Sequence, residues 1–125
     1  MIATTIEQSK HMLELVELGL DPKTADMYYP YFGAGQYGDI PRVGFPIEYS
    51  GGRDIPAWSL SALLEVMPRP DLYRETADLW VCVTFFKEGS IRGFGETAIE
   101  AACDTITKMF GKGYLKKKGG QDERD

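Results

Sequence analysis

Two cysteines and a single histidine occur in 125 residues, which leaves little material for soft-metal or imidazole chemistry. Cys82 and Cys103 are far apart and form no C-x-x-C pair, so neither a zinc knuckle nor a redox motif is present, and two reduced, buried thiols are expected. No apolar run approaches the roughly 20 residues needed to span a bilayer. The opening MIATTIEQSK lacks a basic region followed by an apolar stretch, so a soluble, cytoplasmic chain without membrane contact is expected. Positive charge is also scarce: 14 Lys and Arg against 19 Asp and Glu give a net charge of −5. Duplex affinity comes largely from clustered cations, so nucleic acid is a disfavoured partner. The main basic run, Lys116-Lys117-Lys118, lies in KKKGGQDERD and reads as part of a flexible charged tail over residues 116–125.

Hydrophobic residues make up 43% and charged residues 26%, close to the globular average, so a single domain over residues 1–115 is expected. Thr4 and Glu7 have the spacing of a capping box, which predicts a helix from Thr5. Ile6, Met12, Leu13, Val16 and Leu20 recur on one side of it, with Glu7, Lys10, Glu14 and Glu17 opposite. Gly19 suits the left-handed helix end, letting Leu20 fold back on Leu15, and Asp21-Pro22 restarts the chain with a short helical turn. Ser59 caps a short helix through Leu60, Leu63, Leu64 and Met67, which Pro68 and Pro70 prevent from continuing. Residues 79–86, LWVCVTFF, are apolar on both alternating faces and predict a central strand, turned by KEGS into an antiparallel partner IRGF. Thr97 and Glu100 form a second capping box. Ile99, Ala102, Cys103, Ile106 and Phe110 line one face of the helix behind it, and Gly111 or Gly113 ends it. The fold class is therefore α+β: a small antiparallel sheet packed with about three helices, its strand order open.

Between Tyr28 and Pro56 the chain is rich in Gly, Pro and aromatics and shows no long periodicity. RVGFPIEYS admits one short strand, confined by Pro46 to an edge or a bulge. A stretch this long is uncommon unless it carries function or is partly disordered. Gly33, Gly35 and Gly38 have the spacing G-x-G-x-x-G, but Pro30 interrupts the upstream segment, and Pro41 and Pro46 prevent a helix downstream. Asp54 stands where a ribose-binding acid would be counted, yet no second parallel strand or crossover helix accompanies it. The glycines are read as serving a tightly turned or mobile loop. Tyr28, Tyr29, Tyr31, Phe32, Tyr37, Phe45 and Tyr49 exceed what turns need, so some cover the core and the others are candidates for recognition.

No catalytic constellation emerges. His11 has Glu7 and Glu14 about a turn away, the spacing of a surface ion pair, and both cysteines fall in core patterns that would leave them unreactive. Glu96, Glu100 and Asp104 are four apart, as hard-metal ligands could be, but they oppose Ile99 and Phe110, and Asp104 to Lys108 is an ordinary helix pair. The serines of WSLSALL do not fit G-x-S-x-G. No cofactor or metal site is expected.

TTIEQSK, LGLDPKTADMYY, PAWSLSALLEVMP and GETAIEAACDTITKMFGKGYLKK together resemble a family of small proteins of gut Bacteroidales, often from prophage or other mobile-element regions. The resemblance implies a setting and brings no activity or site residues with it. The favoured reading is a non-enzymatic interaction or accessory protein whose protein partner meets the aromatic loop. Tyr31 and Tyr37 would lie on that surface, and Trp58 would extend it. The alternative is a small ligand-binding domain or enzyme with a pocket beside the loop, lined by Arg42, Arg53 and Tyr37. A third reading, an acidic mimic of DNA, rests on net charge alone, and the acids are too evenly mixed with lysines to favour it. Oligomeric state is not legible.

Overall fold

The first helix, α1 (Ile6–Val16), starts one residue later than expected, and Thr4 is the reason. In the computed structural model, which describes residues 2–45, 48–49 and 52–111, Thr4 is fully buried. Its hydroxyl accepts from the Trp58 amide at 3.1 Å and bonds the Ser9 hydroxyl at 2.7 Å, so it is not free to cap. Thr5 caps instead. Its hydroxyl accepts from the Gln8 amide at 3.1 Å, and Gln8 Oε1 accepts from the Thr5 amide at 2.8 Å; the capping box is Thr5/Gln8, not Thr4/Glu7. At the other end the expected Schellman closure is present. The Leu20 and Gly19 amides donate to Leu15 and Val16 carbonyls, both at 3.1 Å, with Gly19 at φ 123°. A 3-10 turn, Pro22–Thr24, follows with Asp21 as its cap.

Seven strands of two or three residues occupy the region for which one was expected. They are β1 (Met27–Tyr29), β2 (Tyr31–Gly33), β3 (Gln36–Tyr37), β4 (Arg42–Val43), β5 (Glu48–Tyr49), β6 (Gly52–Arg53) and β7 (Ile55–Ala57). Elements this short show no alternation. β1 is flanked by β4 and β7, and β2–β3 and β5–β6 form separate ladders, all antiparallel.

Ser59 caps α2 (Leu60–Val66) as predicted, accepting from the Ala62 amide at 3.2 Å. Asp26 holds the cap itself, taking the Ser59 amide at 2.9 Å and its hydroxyl at 2.5 Å. The second sheet contains β8 (Pro70–Thr76), β9 (Leu79–Phe86) and β10 (Gly89–Gly95), in the order β10-β9-β8. β9 and its hairpin with β10 match expectation; β8 is an addition. Its residues are mostly exposed and polar, and Pro70 is tolerated as the first residue of an edge strand. Helix α3 (Ala98–Gly111) begins at Thr97, whose hydroxyl accepts from the Glu100 amide at 3.1 Å. Only half of that box forms, because the Glu100 carboxylate accepts from the Glu96 amide rather than from Thr97.

Trp58, Met12, Leu15, Leu63, Cys82 and Ile106 belong to the larger of two apolar cores. The smaller gathers Ala3, Met27, Tyr29, Ile55 and Ala57. Helix α1 joins them: Met12 and Leu15 enter the first core, while Ile6 and Leu13 pack on the second. The result is one α+β domain of three helices and small antiparallel sheets. The expected tail over residues 116–125 lies outside the described residues, as does Gly113.

Candidate functional site

The glycine motif forms the tip of the β2–β3 hairpin. Gly33, Ala34 and Gly35 take φ values of 102°, 54° and 74°, a left-handed run that favours glycine at two of three positions. Gly38 serves contact rather than turning, since a Cβ there would lie 3.0 Å from Pro30 Cγ and 3.3 Å from the Phe32 ring. No strand-to-helix crossover surrounds these glycines, unlike the phosphate loop of a dinucleotide fold. Asp54, counted as a ribose ligand on spacing alone, is buried and accepts from the Tyr31 amide at 3.0 Å, anchoring the hairpin.

Tyr31 and Tyr37 come together, with ring centroids 5.1 Å apart and planes tilted by 55°. Tyr31 Oη also accepts from the Gly35 amide at 3.2 Å, and Tyr37 packs against the smaller core. Both therefore brace the hairpin. Arg42 is exposed on β4, opposite Tyr28. The Arg53 and Tyr49 side chains lie outside the described residues. Trp58 corrects the expectation of a surface residue: it is 0% exposed, and its indole donates to the Thr24 hydroxyl at 2.9 Å.

Other residues present the apolar surface. Phe32, Ile40, Val43 and Phe45 are each 65–83% exposed. Ile40 and Val43 were not legible as candidates, because a single apolar residue between prolines and glycines carries no periodicity. Phe45 also borders a groove of about 490 Å³ lined by Lys23, Thr24, Asp26, Ser61 and Glu65. Neither Tyr37 nor Arg42 lines it.

The remaining chemical candidates have structural occupations. His11 lies between Glu14, 3.4 Å from Nδ1, and the Thr107 hydroxyl, 3.0 Å from Nε2. Cys82 and Cys103 form no disulfide and are buried, and the Cys82 thiol donates to Met67 Sδ at 3.8 Å. Burial pushes both thiols up, and Cys103 reaches about 12 with Glu100 and Asp104 adding to the effect. Such thiols hold their protons and make poor nucleophiles. Asp104 accepts from the Phe94 amide at 2.9 Å and pairs with Lys108 at 3.0 Å, while Lys108 donates to the Arg92 carbonyl at 3.0 Å. The pair read from sequence as an ordinary surface bridge thus closes the free edge of β10. Among the described residues no three His, Cys, Asp or Glu side chains are placed to share a metal ion, and no helix is long and apolar enough to cross a membrane. Compared with protein-family models, curated proteins and solved structures, the chain matches none.

Proposed function

We propose that this chain is a non-enzymatic protein-interaction module, an accessory protein of a phage or other mobile element that acts in the cytoplasm. Phe32, Ile40, Val43 and Phe45 would contact the partner. The observation that carries this reading is their high exposure within one short segment; among the described residues the other large apolar side chains are mostly buried or half-buried. Concentrated exposed apolar surface marks interaction sites more reliably than scattered residues do. The strands at Phe32 and Val43 are tethered: Asp54 holds Tyr31 in β2, next to Phe32, and in β1, which pairs with β4, the Tyr29 hydroxyl donates to the Thr4 carbonyl at 2.8 Å. Tethering lowers the ordering cost of binding. With a net charge of −5, the partner is taken to be protein rather than nucleic acid.

The test is affinity capture from nuclease-treated host lysate by the native chain and by a Phe32→Ser, Val43→Ser, Phe45→Ser variant with unchanged circular dichroism. At least tenfold loss of one enriched partner is expected. Equal recovery by the folded variant would remove this reading.

A small-ligand role is the second reading, supported by the groove beside Phe45 with Lys23 and Glu65 on its walls. Ligand at about 100 times its dissociation constant would add about 2.7 kcal/mol to stability. A thermal-shift screen of metabolites, nucleotides and metals that stays flat would end it.

A further inference from the structure

The groove of about 490 Å³ beside Phe45 is built from three segments that lie apart in sequence. The 3-10 turn and the residues after it supply Lys23 and Asp26, α2 supplies Glu65, and Phe45 stands just past β4. Ala25 and Ala62, both buried, give the groove an apolar lining. The Gly44 amide donates to the Asp26 carbonyl at 3.0 Å, which fixes the chain one residue before Phe45 and keeps that exposed ring beside the Asp26 carboxylate.

Asp26 is itself held in place, because one of its carboxylate oxygens accepts from the Ser59 amide at 2.9 Å and the other from the Ser59 hydroxyl at 2.5 Å. Each oxygen keeps room for a second hydrogen bond. Glu65 is exposed and, among the described residues, has no ion-pair partner; Lys23 pairs with neither acid. Two carboxylates and one ammonium therefore face an opening with an aromatic wall and an alanine lining. An anionic group entering it would meet more like charge than unlike. A cation with an aliphatic stem meets a complement for each of its parts.

We propose that this groove seats an arginine side chain presented by the protein partner. The proposal rests on the reading of Phe32, Ile40, Val43 and Phe45 as the contact surface, and Phe45 belongs to both. The stem would lie along Ala25 and Ala62, the planar guanidinium would stack on the Phe45 ring, and its N–H groups would donate to Asp26 and Glu65. A lysine ammonium supplies the charge without the flat face that stacks or the fork that spans two carboxylates.

The test is a titration of N-acetyl-arginine amide into the isotope-labelled full chain, followed by amide chemical shifts, with N-acetyl-citrulline amide as the uncharged isostere. Saturable shifts are expected at Ala25, Asp26 and Ala62, with the millimolar affinity of a single side chain. Citrulline is expected to bind about fivefold more weakly, and arginine to bind Glu65→Gln about threefold more weakly, the size of a partly exposed charge contact. Lys23→Gln removes a like charge, so tighter binding of arginine is expected. No saturable shift at those amides would overturn the proposal, and so would equal binding of the two probes, native affinity in Glu65→Gln or weaker binding in Lys23→Gln.

Capture from lysate separates this proposal from the reading beneath it, using Phe32→Ser, Val43→Ser, which keeps Phe45 and the groove. A partner lost by that variant yet fully recovered by Glu65→Gln would overturn the arginine anchor and leave the apolar contact surface standing. A partner recovered undiminished by that variant, while the variant still binds the arginine probe, would remove the contact surface alone.

Discussion

Thr4 ties the start of the chain to two distant segments. Its hydroxyl serves Ser9 and the Trp58 amide, its own amide donates to the Trp58 carbonyl at 2.9 Å, and its carbonyl receives the Tyr29 hydroxyl. Thr4→Val keeps the shape and removes the acceptor, leaving a buried amide and a buried hydroxyl short of a partner. A loss of about 1–3 kcal/mol is expected in urea denaturation; a change below about 0.5 kcal/mol would contradict this role. Trp58→Ala empties a fully buried site and is expected to cost about 3–5 kcal/mol, read as a lowered Tm. That variant would report unfolding, so it cannot serve as a binding mutant. Local signals such as Ser59, Asp21 and Gly19 were legible because their partners are within a few residues. Thr4 and Trp58 were not, since their bond joins positions 54 apart in sequence.

Helix α3 lies close on β10 because two glycines leave room for it. A Cβ at Gly93 would collide with the Thr105 hydroxyl and amide, and one at Gly95 with Glu100 and Ala101. Thr105 is itself fixed, with its hydroxyl 2.9 Å from both the Cys82 and Ala101 carbonyls. Gly93→Ala is therefore expected to destabilise by about 1–3 kcal/mol, visible as a lower urea midpoint; a neutral result would mean that α3 can lift without penalty. Long elements were readable in advance: eight mostly apolar residues in β9 and the helical repeat of α3 each carry their own period. Strands β1 to β7 were not, because two or three residues cannot display one and their ladders depend on distant partners. β8 escaped because an exposed edge strand needs no buried face. The candidate site was legible in its glycine turn and in Phe32 and Phe45 among the loop aromatics, not in Ile40 or Val43. Which of its apolar side chains face solvent depends on how those short ladders assemble.

Two cores joined by α1 make a small domain whose stability should respond to alkali. Burial raises the Cys103 thiol to about 12, and it also raises Cys82 and Tyr29. In each case the folded chain holds the proton more tightly than the unfolded chain. For Cys103 the contribution is full below the ordinary value of 9.0 and is lost as pH climbs toward about 12. The urea midpoint is expected to fall from about pH 9 to about pH 11, and less steeply in Cys103→Ala. Equal slopes would contradict the assignment. Association concerns the opposite end of the protein's chemistry, its exposed apolar groups, and can be tested where it happens. A photo-crosslinking amino acid is placed at Val43 in the host, with Lys10 on the exposed side of α1 as the control position. One discrete adduct with a different protein from position 43, and none from position 10, is the outcome expected of an interaction module. No adduct at position 43, or the same adducts from both positions, would contradict it.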